Sequence, residues 1–361
     1  MKLKLQIWPF ATLILIFLSA CNLNIEVVPA VPSVPANAVP LVASPAPPPS
    51  SASILQPTPN IHCASGSCTD ACIAKLSSTL QNGSQSAQTR TASPQNLNIT
   101  PTVLVAYDVQ GDQIGAPKFS PNVPSDLVNY QQNTAAQKLV WDYFAAIIPA
   151  DRRKEVAYYI VSSDGKGGML ASVQLNINDP KKWALNVDIV DAGKPRNLTF
   201  TLIHEFGHLL TLNDSQVAAD PRALSNPQDQ QLQAQAAASC PQYFTTDGCS
   251  QPDSYINQFY NKFWPKLFTE WSQVNAKRDQ NGYFTLIGNF YLHHPTQFVS
   301  PYAATSPEED IAESWAHFIL TPKPADDSIA NKKVLFFYDF PELVQLRDQI
   351  ASGLCNYSQG Q

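Results

Sequence analysis

The chain has 361 residues, 44% of them hydrophobic and only 14% charged, with 29 acids against 23 bases and a formal net charge of −6. This is length enough for one sizeable core, or for a core with an inserted subdomain. The acidic balance and the absence of a basic patch make nucleic acid and anionic lipid surfaces poor partners, so no nucleic-acid role is expected.

Residues 1–20 read as a signal peptide, with Lys2 and Lys4 as the positive region and an apolar region over 7–18. Twelve apolar residues are too few to span a hydrocarbon core of about 30 Å. The segment ends in Leu18-Ser19-Ala20-Cys21, which resembles a bacterial lipobox. The resemblance implies that Cys21 is acylated and becomes the mature N-terminus, anchoring the protein extracytoplasmically in the bacterial cell envelope. Removing Lys2 and Lys4 with no acid lowers the formal charge from −6 to −8.

Residues 21–60 are rich in Pro, Ala, Val and Ser and cannot pack a core; as polyproline II at about 3.1 Å per residue they form a tether reaching roughly 100 Å. Residues 61–100 are a Ser/Gln-rich segment containing Cys63, Cys68 and Cys72. With Cys21 set aside, six cysteines remain, and an even count in an exported chain reads as three disulfides. Cys240 and Cys249 are near neighbours and pair; Cys63, Cys68, Cys72 and Cys355 then allow three pairings. Metal binding by the Cys63 to Cys72 cluster is the alternative that an oxidising compartment disfavours.

The folded part runs over 101–355. Stretches 102–108, 156–162, 169–177 and 183–190 read as strands, the last two alternating cleanly between apolar and polar residues. Residues 134–148 read as a helix stopping before Pro149 and burying Leu139, Val140, Tyr143, Phe144 and Ile147.

Residues 201–210 carry the chemistry: His204-Glu205-Phe206-Gly207-His208 sits inside an apolar helical pattern. At about 100° per residue, His204 and His208 fall one turn apart on one face, where both imidazoles can reach one tetrahedral Zn²⁺. Glu205 is offset enough to take a proton from water that the metal activates and to pass it to a leaving amine. Lys194-Pro195 reads as the helix start and Asn213-Asp214 as its stop. Gly207 costs about 1 kcal/mol relative to Ala in a helix interior, which points to a close approach by another segment.

An insert over about 214–290 reads as helical. Its stretch 254–271 holds Tyr255, Phe259, Tyr260, Phe263, Trp264, Leu267, Phe268 and Trp271 at helical spacing, a core pattern, whereas the Gln/Ala-rich 225–240 reads as surface. His293 and His294 have no ligand spacing.

A catalytic zinc needs a third protein ligand and one open position. The helix predicted from Ser306, with Pro307 first and Glu308, Glu309 and Asp310 in its first turn, supplies carboxylates. Glu309 and Glu313 share one face, so one can bind the metal while the other holds an imidazole by its second nitrogen, and spacing alone leaves the choice open. His317, beside Trp315 and Phe318, reads as a packed histidine. Residues 332–352 supply one or two closing helices interrupted at Pro341.

Glu309-x-x-Ala312-Glu313 following His204-Glu205-x-x-His208 resembles the gluzincin clan. The run over 299–313 is similar to anthrax lethal-factor-like catalytic domains and to zinc peptidases of bacterial lipoproteins. In these a tyrosine stands seven positions before the ligand glutamate, as Tyr302 does here. The resemblance covers about a sixth of the chain. It implies Glu309 as the metal ligand, Glu313 as its companion behind the histidine, Tyr302 as an oxyanion donor, one catalytic Zn²⁺, and a peptide or protein substrate.

The fold it implies is α+β and zincin-like, a small mixed sheet over the metal-binding helix with a mostly helical lower half. One edge strand, 169–177 or 183–190, would hold the substrate. The 100 residues between His208 and Glu309 exceed the spacing of the smaller gluzincins. The expected function is that of a membrane-anchored zinc endopeptidase. The alternatives are a non-catalytic surface lipoprotein that keeps the fold, and a zinc hydrolase of a non-peptide substrate.

Overall fold

The apolar run over 103–107, rich in β-branched and aromatic residues, gives β1 (Thr102–Gln110). In this computed structural model the chain is described for residues 73–74, 101–165, 168–193, 198–227, 229–278, 280 and 282–359. The signal peptide with Cys21, the tether, and Cys63, Cys68 and Cys72 lie outside the described residues. Two short strands, β2 (Gln113–Ile114) and β3 (Lys118–Phe119), pair antiparallel with β1. Two helices follow, α1 (Val128–Gln132) and α2 (Thr134–Ile147), the second capped by the Asn133 side chain.

In α2 the buried face is Gln137, Val140, Trp141, Tyr143, Phe144 and Ile147. Leu139 is not part of it: the residue is 50% exposed, because 100° steps carry it past Tyr143 and off the arc that faces the sheet. β4 (Val156–Ser163) pairs antiparallel with β1 and parallel with β6 (Trp183–Asp188), and β5 (Ala171–Leu175) pairs antiparallel with β6. The sheet is therefore small and mixed, in the order β2-β1-β4-β6-β5 with β3 also on β1.

This order decides between the two candidate edges. β6 is interior and buried at every position, while β5 lies at the border. The expected strand 183–190 ends at Asp188, whose carboxylate accepts from the amides of Val190 and Asp191 and starts α3 (Ile189–Ala192).

The His-Glu-x-x-His segment is α4 (Thr199–Leu212). The expected start at Lys194-Pro195 lies outside the described residues, and the stop falls at Asn213, whose amide caps the carbonyls of Leu209 and Leu210. The insert that follows is not purely helical. β7 (Val217–Ala219) pairs with β8 (Gly248–Ser250), and between them lie α5 (Pro221–Ser225) and α6 (Gln230–Ser239), the latter largely exposed as its Gln/Ala composition predicts. Cys240, just past α6, is joined to Cys249 in β8 with their Cα atoms 5.5 Å apart. Cys355 is also disulfide-bonded, and its partner lies outside the described residues.

The aromatic stretch forms two helices, α7 (Tyr255–Phe263) and α8 (Phe268–Asn275), because Pro265 lacks the amide needed to continue α7. Phe259, Trp264 and Trp271 are buried and join the core that runs from the sheet to the C-terminal helices. After α9 (Tyr283–His293) comes a 3₁₀ turn, Tyr302–Thr305, then α10 (Pro307–Leu320), α11 (Ile329–Phe336) and α12 (Pro341–Gln359), the break before α12 falling at Pro341. The chain is thus a mixed α and β protein in which the sheet's border strand β5 contacts α4 and α4 packs on α10. Among the described residues no helix is long and apolar enough to cross a membrane.

Candidate metal centre

Two helices build the site, and the sequence explains their approach. Gly207, between the two histidines, faces α10 so closely that a β-carbon there would stand 3.0 Å from Trp315 Cδ1 and 3.2 Å from Ala312 Cα. The pair Gly207 and Ala312 lets the backbones come together, and the ring of Trp315, fully buried, closes over the contact. The first turn of α10 is fixed independently: Ser306 Oγ accepts from the Glu309 amide at 3.1 Å, and Pro307 occupies the first helical position.

The crossing brings together the predicted residues. Glu309 Oε2 stands 3.0 Å from His204 Nε2 and 3.4 Å from His208 Nε2, and the two Nε2 atoms are 3.1 Å apart. On the far side of the His204 ring, Glu313 Oε1 is 3.0 Å from Nδ1. That contact is close in distance but poorly aligned as a hydrogen bond, and Nδ1 of His208 is buried without one. Ligand-type atoms of His204, His208 and Glu309 lie within 4.8 Å of one another, so these three form a group that could hold a metal. Spacing left Glu309 and Glu313 interchangeable; the geometry puts Glu309 against both Nε2 atoms and Glu313 behind His204.

Charge is concentrated here away from water. Burial pushes the Glu309 carboxyl up, but the neighbouring His208 and His204 outweigh it and hold the group well below the usual carboxylate range. Burial pushes His204 down, and its contacts with Glu309 and Glu313 more than reverse that. Glu205 is raised, chiefly by burial. Its Oε2 accepts a hydrogen bond of 3.0 Å from the Val173 amide of β5. The Tyr302 ring centroid is 5.8 Å from that of His204. Its phenol is raised well above the ordinary value by burial and then by the charges of Glu309, Glu205 and Glu313, which places it among the site's carboxylates.

Several participants were not legible beforehand. Ser300 Oγ donates to Glu313 Oε2 at 2.6 Å and accepts from the Ala303 amide at 3.1 Å, so one hydroxyl ties the turn bearing Tyr302 to the carboxylate behind His204. Asp310 is fully buried, accepting from Trp264 Nε1 at 2.9 Å and from Lys333, itself fully buried, whose ammonium lies 4.2 Å from the Phe298 ring centroid. Glu308 accepts from Tyr243 Oη at 2.8 Å. Each acid in this first turn therefore has a partner of its own, unlike a solvated acidic helix start. The only advance signal for Ser300 was its place two residues before Tyr302, and Lys333 gave none.

The remaining histidines among the described residues stand apart from the site. His317 packs edge-on against Phe200, and His293 and His294 share Glu270. A second carboxylate group, Asp164, Asp188 and Asp191, is gathered around Asp188, which accepts from the amides of Asp164, Val190 and Asp191. Compared with known proteins, the chain matches no family profile, no curated protein and no solved structure.

Gly207→Val tests the crossing. A branched side chain facing Trp315 Cδ1 and the Ala312 backbone overpacks the contact, and urea denaturation is expected to show a loss of roughly 2–3 kcal/mol at unchanged m-value. Stability equal to wild type would mean that the helices are not held this closely.

Proposed function

We propose that the protein is a zinc-dependent endopeptidase of gluzincin type with a zincin-like fold, working outside the cytoplasm from a lipid anchor on Cys21. The observation that carries this reading is the meeting of a His-x-x-x-His pair with Glu309, 105 positions from His204, with Glu205 and Tyr302 beside them.

The donor set fits the metal. Donors on a tetrahedral zinc with bonds of about 2.0–2.1 Å stand about 3.3 Å apart. The three separations among His204 Nε2, His208 Nε2 and Glu309 Oε2 are 3.0, 3.1 and 3.4 Å. Two imidazoles and one carboxylate leave a fourth position open, the set expected of a catalytic site. Glu313 and Ser300 would fix the His204 ring from behind.

When bound, zinc supplies a Lewis acid that polarises the scissile carbonyl and acidifies water. Glu205, buried and fixed by the Val173 amide, accepts the proton from the attacking water and delivers it to the leaving amine. Tyr302, held protonated by burial and by its carboxylate neighbours, donates to the oxygen on which negative charge develops. The border strand β5, adjacent to α4, offers an edge along which an extended peptide can lie.

Incubating the zinc-loaded ectodomain with a diverse peptide library, with and without chelator, separates this reading from a non-catalytic lipoprotein and from a hydrolase of another substrate class. Cleavage that chelator abolishes is expected. Zinc retained after dialysis should fall in the order Glu205→Gln, Glu313→Ala, Glu309→Ala, with hydrolysis impaired in all three. Loss of Glu313 should weaken zinc about 10–100-fold and loss of Glu309 more. A Glu309→Ala protein that keeps its zinc while Glu313→Ala loses it would reverse the two roles. For the anchor, Cys21→Ser should take up no labelled palmitate; labelling equal to wild type would remove the lipoprotein assignment.

A further inference from the structure

The pairing of β5 with β6 determines which backbone groups of β5 face outward. Ala171, Val173 and Leu175 stand opposite Val187, Leu185 and Trp183. The flanking bonds, Asp188 N to Leu170 O at 2.9 Å and Asn176 N to Lys182 O at 2.8 Å, put the bonded pairs of this antiparallel ladder at the even-numbered residues of β5. Ala171, Val173 and Leu175 therefore turn their N–H and C=O groups away from β6, toward the open border of the sheet. An outward N–H on a border strand is ordinarily a free donor for an added strand. That of Val173 is taken, because Glu205 Oε2 accepts from it at 3.0 Å.

We infer that the backbone amide of Val173 is the positioning group for Glu205 and thereby sets the register of a peptide lying along β5. The inference rests on the peptidase reading above. One carboxylate oxygen is held by the sheet, and the other is left to serve the water. Glu205 itself sits on α4, so the bond couples the helix that carries both histidines to the strand that meets the substrate. A peptide added to β5 cannot use the Val173 amide without displacing Glu205. It pairs with the Val173 carbonyl and with the outward groups of Ala171 and Leu175 on either side, so the scissile bond lies opposite Val173. The side chain of Val173 takes no part, which is why no residue pattern in the sequence marks the position.

The test removes one N–H; the accompanying weakening of the Ser172 carbonyl as an acceptor toward β6 is matched by that of Gln174 in the comparison ester. Nonsense suppression in the full-length, zinc-loaded protein installs the α-hydroxy analogue of valine at 173, converting the preceding peptide bond to an ester; the matched ester at Leu175 is the comparison. With a peptide cleaved by wild type, the ester at 173 should lower kcat about 10-fold or more with KM within about twofold and zinc content unchanged. The ester at 175 should raise KM with kcat within about twofold. A kcat retained within twofold at 173, or a loss confined to KM, overturns the inference. Amide hydrogen exchange gives a readout independent of turnover: Val173 should be protected in wild type and exposed in Glu205→Ala, and rapid exchange in wild type also overturns the inference. If wild type cleaves no peptide while this Glu205-dependent protection is present, the peptidase reading fails and the contact stands. If wild type is active and the protection is absent, the contact fails and the reading stands.

Discussion

Everything at the candidate centre depends on two helices meeting without side chains between them. At Gly207 and Ala312 the backbones of α4 and α10 approach within the space of a single β-carbon, and Trp315 seals the contact. Without this crossing, Glu309 could not stand within 3.0 Å of one imidazole and 3.4 Å of the other while Glu313 reaches behind the first. Gly207 weakens the helix locally by about 1 kcal/mol. In return the ligand set is held by close-packed backbone, which tolerates far less drift than long side chains do.

A second constraint is electrostatic. Two histidines and three glutamates occupy one largely dry volume, and an isolated ion there would cost several kcal/mol in desolvation. The structure meets this by giving each charge a partner: Glu309 the imidazoles, Glu313 the Ser300 hydroxyl and His204, Glu205 the Val173 amide. Just outside, the buried pair Asp310 and Lys333 fastens the first turn of α10 to α11, with Trp264 from the insert as a further donor. Breaking such a pair on one side typically costs about 3–5 kcal/mol, so this pair sets the orientation of α10 as firmly as the crossing sets its distance. The long insert thus contributes Trp264 and Tyr243 as partners for the acids flanking Glu309.

Local chemistry was legible in the sequence and long-range pairing was not. The His-x-x-x-His spacing, the Ser306 cap, the Asn213 stop and the strands follow from helical and strand periodicity and from cap chemistry, and all fall within a few residues of where they were read. Which of two alternating strands forms the border could not be read, because both patterns are compatible with an edge until β4 is seen to pair with β6. Leu139 lies only about 40° beyond Tyr143 around the helix, too small an angle for periodicity to separate an exposed position from a buried one. Pro265 did carry the signal that splits α7 from α8, and the run of aromatics masked it. Lys333 and Ser300 have ordinary residue types at ordinary positions, and only tertiary packing gives them roles.

In the proposed centre His204, His208 and Glu309 together bind one zinc ion, with Glu313 outside the coordination shell. A crystal of the zinc-loaded protein measured on both sides of the zinc absorption edge tests it most directly. One anomalous peak is expected about 2.0–2.2 Å from Nε2 of both histidines and from an oxygen of Glu309. A peak coordinated by Glu313 in place of Glu309, or a metal held by Asp164, Asp188 and Asp191 with none between the histidines, would contradict it.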